Sequence, residues 1–172
     1  MYKYLGNNPF DFDIKYDDFK HLRKNVITEY TGKGDYWSDT AHQAGFDENT
    51  NVWKSFQEDF PQYLHDYIET FDITPVTSNF HIQKPGYIIP PHKDNFLSVK
   101  DEDKKTRQTC RIFVFMSDWE FGQILMVEDK VLHNWKKGDT WIWDSDALHM
   151  SANGSVQDKL SLIITGFVNW KH

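Results

Sequence analysis

Two histidines and one aspartate carry the strongest chemical signal in this sequence. Pro90-Pro91-His92-Lys93-Asp94 closes a short apolar run, and His149 follows the segment Gly138-Asp139-Thr140-Trp141-Ile142-Trp143-Asp144. A lone His-x-Asp is a common accident in a chain with eight histidines. Two imidazoles and a carboxylate at one point are a different matter. They make a metal site with three neighbouring coordination positions open, the arrangement that suits Fe(II). The single cysteine, Cys110, excludes a thiolate cage and makes zinc or copper less favoured. Ten residues after His149 stands Lys159-Leu160-Ser161. In a strand Lys159 and Ser161 share a face. A cation beside a hydroxyl at the mouth of a narrow barrel makes a carboxylate site.

These residues act together only if the chain folds them together. After Pro75 the sequence breaks into eight short β-type runs, at 76–83, 87–91, 109–117, 123–128, 131–135, 140–143, 147–151 and 160–169, separated by Gly, Pro, Asp, Asn or paired charges. Eight such strands suggest a jelly roll or cupin-like double sheet, which brings the ends of its second and seventh strands to one mouth. His92 and His149 stand there. In the last run Leu160, Leu162, Ile164 and Val168 lie on one face, Ile163 and Phe167 on the other. Two apolar faces fit a barrel lining inside and a helical layer outside. Before residue 75 the spacing is helical. Phe19, Leu22, Val26 and Ile27 predict a helix over 17–30, and a second stretch over 52–71 is kinked or split at Pro61. A polar loop, 31–51, joins them. The expectation is a mainly β domain over 1–172, with 1–75 as helical support and 76–169 as the core.

His92-x-Asp94, His149 and a basic residue ten positions later followed by x-Ser resemble the Fe(II)/2-oxoglutarate-dependent oxygenases, over about residues 76–168. Within that superfamily Ile88-Ile89-Pro90-Pro91-His92-Lys93-Asp94 looks like the prolyl and asparaginyl hydroxylase-like branches. The resemblance implies a double-stranded β-helix in which His92, Asp94 and His149 form the catalytic iron centre. By the same likeness Lys159 pairs with the distal carboxylate of 2-oxoglutarate and Ser161 supports it. Lys stands where many members have Arg, a point charge instead of a fork, so Tyr87 and Thr109 are candidates for extra hydroxyl help. The implied reaction uses O2, with ascorbate as a reductant, and releases succinate and CO2. It hydroxylates an amino acid or an amino-acid residue of a protein. Asp94 fits that outcome, since related halogenases lack this carboxylate.

Further residues are candidates on their own chemistry. Arg111 lies in the third run, where a buried cation needs a partner: a substrate or cosubstrate carboxylate, or a structural acid. Tyr36 and Trp37 sit on the polar loop and are candidates for a substrate lid. Trp141 and Trp143 read as core. The loop 95–108 is mixed in charge and reads as solvated and mobile. Two other readings stay open. One is a cupin-type metal enzyme that does not use 2-oxoglutarate and has no need of Lys159. The other is a non-catalytic barrel that binds partners without a metal.

Composition sets the outer bounds. The chain has 172 residues, 39 % hydrophobic and 26 % charged, as globular proteins do. Its formal charge of -7 argues against a nucleic-acid partner, which needs clustered Lys and Arg. No apolar run approaches the ~20 residues of a membrane span. Residues 1–10 lack a charged stretch leading into an apolar one, so a cytoplasmic location is expected. Aromatic residues reach 16 %. Most fall at helix or strand positions that pack, which leaves Tyr36, Trp37 and Tyr87 as pocket walls.

Overall fold

Each β-type run read after residue 75 contributes a strand to the computed structural model, which describes residues 2–24, 52–94, 99–144 and 146–168. In chain order the strands are β1 (Tyr2–Asn7), β2 (Arg23–Lys24), β3 (Trp53–Phe56), β4 (Ile73–Gln83), β5 (Ile88–His92), β6 (Thr109–Phe115), β7 (Gln123–Val127), β8 (Lys130–Leu132), β9 (Asp139–Asp144), β10 (His149–Asn153) and β11 (Lys159–Val168). Two α-helices are described, α1 (Gln62–Ile68) and α2 (Asp101–Thr106). The strands form a seven-stranded sheet, β1-β9-β6-β11-β4-β3-β2, and a four-stranded sheet, β5-β10-β7-β8. The described pairings are antiparallel. This is the double-stranded β-helix that the sequence led us to expect.

β11 shows why two layers of packing arise from one strand. Leu162 and Ile164 face outward into a cluster with Phe80, Ile112 and Val114, onto which Phe60, Leu64, Tyr67 and Ile68 pack. Ile163 faces inward, with Phe113, Phe115, Leu125, Val127 and Trp143 between the sheets. At roughly 1.5–3 kcal/mol for each large apolar side chain fully buried, both faces reward the pairing with β4 and β6.

That reward also explains where helical spacing misled. Residues 52–71 are not one helix. Trp53–Phe56 is strand β3, Gln57–Asp59 a 3₁₀ turn, and only Gln62–Ile68 is α-helical, with Pro61 at its N-cap. Residues 53–56 complete a ladder with β4, and Val52 and Lys54 point into the barrel while Trp53 joins the outer cluster. Tertiary pairing thus overrides a local period. The expected helix 17–30 is not seen in its described part, where a 3₁₀ turn (Tyr16–Asp18) leads to β2. Phe19 is buried all the same, its ring 4.8 Å from that of Phe80. Val26 and Ile27 lie outside the described residues. β1 went unread from the sequence; it pairs with β9 at the sheet edge. The charged loop 95–108 is not irregular throughout, since its middle forms α2, and Arg107 beyond that helix lays its guanidinium 3.8 Å from the centre of the Phe167 ring.

Candidate metal centre

His92 ends β5 and His149 begins β10, and the two face each other in register across the four-stranded sheet. Their ring centroids are 4.3 Å apart. Asp94 follows two residues beyond His92, and one ligand atom from each of the three side chains lies within 4.8 Å of the others. Backbone carbonyls set the imidazole tautomers. His92 Nδ1 lies 2.8 Å from Pro90 O and His149 Nδ1 lies 3.0 Å from Ala147 O. A carbonyl only accepts, so each Nδ1 carries the proton and donates it, and each Nε2 keeps a lone pair for a metal. His149 Nε2 points at Asp94 Oδ2, 3.5 Å away.

The charge state suits ligation. Burial depresses both histidines, His149 to about 4, so both are neutral near pH 7. Burial alone would raise Asp94. The Arg111 guanidinium, with help from His149, His92 and Trp143, outweighs that and holds the carboxyl below its usual range. Arg111 Nη1 donates to Asp94 Oδ1 at 2.6 Å, and Trp143 Nε1 lies 3.5 Å from Oδ2. Two neutral imidazoles, one carboxylate and converging lone pairs are the donor set a divalent iron takes.

The centre opens on a cavity of about 190 Å³ between the sheets. Its wall includes Arg111, Phe113, Leu125, Trp143, Ser161 and Ile163 besides the three candidate ligands. Lys159 lies just behind this wall, 1 % exposed. Its Nζ donates to Ile124 O at 2.7 Å and to Ser151 Oγ at 2.5 Å, and Ser151 in turn donates to Gln83 Oε1 at 2.6 Å. Ser151 and Gln83 both line the cavity. Among the described residues Lys159 has no carboxylate partner, and burial pulls its ammonium down to about 7. One hydroxyl therefore separates a buried cation from the open space.

The other sequence candidates divide. Arg111 and Ser161 reach the cavity. Tyr87 and Thr109 are not among its lining residues. Tyr87 accepts bonds through its carbonyl from Gln83 Nε2 and Asn153 N, and the Thr109 hydroxyl is buried without a hydrogen-bond partner at the start of β6. Tyr36 and Trp37 lie outside the described residues. Trp143, read as core, is also a wall of the cavity, with its ring 5.1 Å from that of His149. Sequence reasoning missed Lys54, His81, Gln83 and Ser151. In β4 the alternation was the available signal: Phe80 and Ile82 are apolar and pack outside, which leaves His81 and Gln83 on the inward face.

Burial of two lysines has a measurable consequence. Unfolded Lys stays protonated up to about 10.5, whereas folded Lys159 releases its proton near 7 and Lys54 near 8. Between those values the unfolded chain binds more protons, so stability of the metal-free protein should rise with pH from about 7.5 to 9.5. Chemical denaturation at stepped pH measures this. Lys159→Met should flatten the slope; an unchanged slope would mean that Lys159 stays charged in the fold.

No protein-family model matches the sequence, and no curated protein sequence matches it. Solved structures do. A non-heme alpha-ketoglutarate-dependent carbocyclase, SnoK, from nogalamycin biosynthesis superposes with a TM-score of 0.53 at 13 % identity, over 89 % of this chain and 81 % of that one. A predicted oxalate decarboxylase from Thermotoga maritima gives 0.47 at 13 % identity, over 91 % and 100 %. A cupin 2 conserved barrel domain protein from Salinispora arenicola gives 0.43 at 12 %, over 72 % and 82 %. At such identities the likeness is one of fold.

Proposed function

We propose that this protein is an Fe(II)- and 2-oxoglutarate-dependent oxygenase that hydroxylates an amino acid or an amino-acid residue of a protein. The observation that carries the reading is the convergence of His92, Asp94 and His149 at the head of a cavity backed by a buried lysine. Support comes from the fold shared with SnoK, whose name includes alpha-ketoglutarate dependence.

Iron with 2-oxoglutarate and O2, when bound, supplies an oxidant strong enough for an unactivated C–H bond. The residues of this chain do the rest. His92 Nε2, His149 Nε2 and an Asp94 oxygen would hold the metal. The carbonyls of Pro90 and Ala147 fix both rings against rotation. Arg111 keeps the Asp94 carboxyl ionised and restricts which of its oxygens is free. Lys159, through Ser151 and beside Ser161, would draw the distal carboxylate of 2-oxoglutarate to the far end of the cavity. Phe113, Leu125, Trp143 and Ile163 exclude bulk water, which strengthens each of these electrostatic contacts.

A second reading has one observation in its favour. The Lys159 ammonium already has two acceptors, Ile124 O and Ser151 Oγ, as it would in a metal enzyme of this fold that takes no 2-oxoglutarate. Succinate formation separates the two. Protein given Fe(II), 2-oxoglutarate and ascorbate under air should release succinate in excess of a metal-free control. Protein that binds iron stoichiometrically yet forms no succinate, alone or with amino acids and peptides added, would support the second reading.

A further inference from the structure

The cavity carries more positive charge than the expected cosubstrate accounts for. On the inward face of the larger sheet, Lys54 of β3 stands opposite His81 of β4, and His81 stands opposite Ser161 of β11. Lys54, His81 and Arg111 all line the cavity. Lys54 has no hydrogen-bond or ion-pair partner among the described residues. Asp94, the one carboxylate in the wall among the described residues, is paired with Arg111 and is a candidate metal ligand.

Lys54 lines the same cavity as His92, Asp94 and His149, whereas Lys159 lies outside that lining, behind Ser151. In the ladder His81 stands between Lys54 and Ser161, and burial together with the Lys54, Arg111 and Lys159 charges holds its imidazole well below the ordinary value. From this we infer that Lys54 is a second anion subsite, which holds a carboxylate of the substrate beside the metal. The inference rests on the oxygenase reading and adds the chemical class of the substrate. A single ammonium offers one positive charge as a point donor. That matches a monoanionic carboxylate, either the main-chain carboxylate of a free amino acid or the side chain of an acidic residue.

The test uses protein loaded with Mn(II) in place of iron, with and without saturating 2-oxoglutarate, and calorimetric titration. Two acid and amide pairs serve as probes. N-acetylglycine against N-acetylglycinamide represents a main-chain carboxylate. N-acetyl-aspartic acid amide against N-acetyl-asparagine amide represents a side chain. At least one acid should bind at least tenfold more tightly than its amide, as expected for loss of a charge-assisted hydrogen bond. Lys54→Met should erase that preference and leave 2-oxoglutarate affinity within about threefold. A Lys54→Arg variant should keep part of it, which controls for misfolding. Acids and amides binding alike in both pairs would overturn the inference. So would a Lys54→Met loss of 2-oxoglutarate binding as large as that of Lys159→Met, because Lys54 would then be the cosubstrate anchor. If 2-oxoglutarate fails to bind wild-type protein, the oxygenase reading fails. The acid preference measured on the Mn(II) protein alone then still decides whether Lys54 is an anion site.

Discussion

His149→Ala should lower divalent-metal affinity by more than about 100-fold, beyond the 10- to 100-fold usual for loss of a residue that merely orients a ligand, and succinate formation should fall with it. The ring is buried, its Nδ1 is committed to Ala147 O, and its Nε2 is aimed at Asp94. Among the described residues the only other histidines that line the cavity are His92 and His81, and His81 sits across the larger sheet among cations. His92→Ala should behave alike; normal turnover in either variant would sink the site. Asp94 is the poorer choice for this test. Removing it takes the carboxylate away from the Arg111 guanidinium, and breaking a buried ion pair costs about 3–5 kcal/mol. Loss of metal would then be confounded with loss of fold. Metal titration by calorimetry, with circular dichroism as the folding control, checks the histidine variants.

The second large effect concerns Lys159. Lys159→Met should weaken 2-oxoglutarate binding by about 10- to 150-fold, the equivalent of a hydrogen bond to a charged group worth roughly 1.5–3 kcal/mol. Metal affinity should change less than threefold, since the ammonium bonds to Ile124 O and Ser151 Oγ and to none of the three candidate ligands. Equal loss of metal and cosubstrate would contradict the division of roles. A burial as complete as this one penalises a charge unless an anion arrives to meet it. In the proposed oxygenase the cosubstrate carboxylate would offset that cost, and the pH dependence of stability registers the cost directly in the metal-free protein.

The barrel was legible because alternation in a strand is a strong and local signal. Runs such as 109–117 and 160–169 carry apolar side chains on both faces and turn residues at both ends, and they became β6 and β11. The triad was legible through the order of those strands, since His92 and His149 become neighbours once β5 pairs with β10. What escaped was decided by long-range pairing. Lys54 sits in a segment whose apolar residues recur at helical spacing, and only the ladder with β4 turns it toward the cavity. Tyr87 and Thr109 carry suitable hydroxyls, yet a suitable group near a motif does not fix where its side chain ends up. Ser151 showed the reverse: a small polar residue two positions past His149, unremarkable in sequence, joins Lys159 to Gln83.

β5 lies at the free edge of the four-stranded sheet and meets β10 across a register irregularity between His149 and Ser151. Edge strands fray more readily than central ones. An ion gripped from both sides by His92 and His149 would rivet that edge to its neighbour, so release of the ion and peeling of the strand become one event. Metal residence time and amide hydrogen exchange at Ile88, Ile89 and His92, the residues of β5 that carry an amide hydrogen, should then report the same opening rate, and the protein would lose its metal by unzipping its sheet.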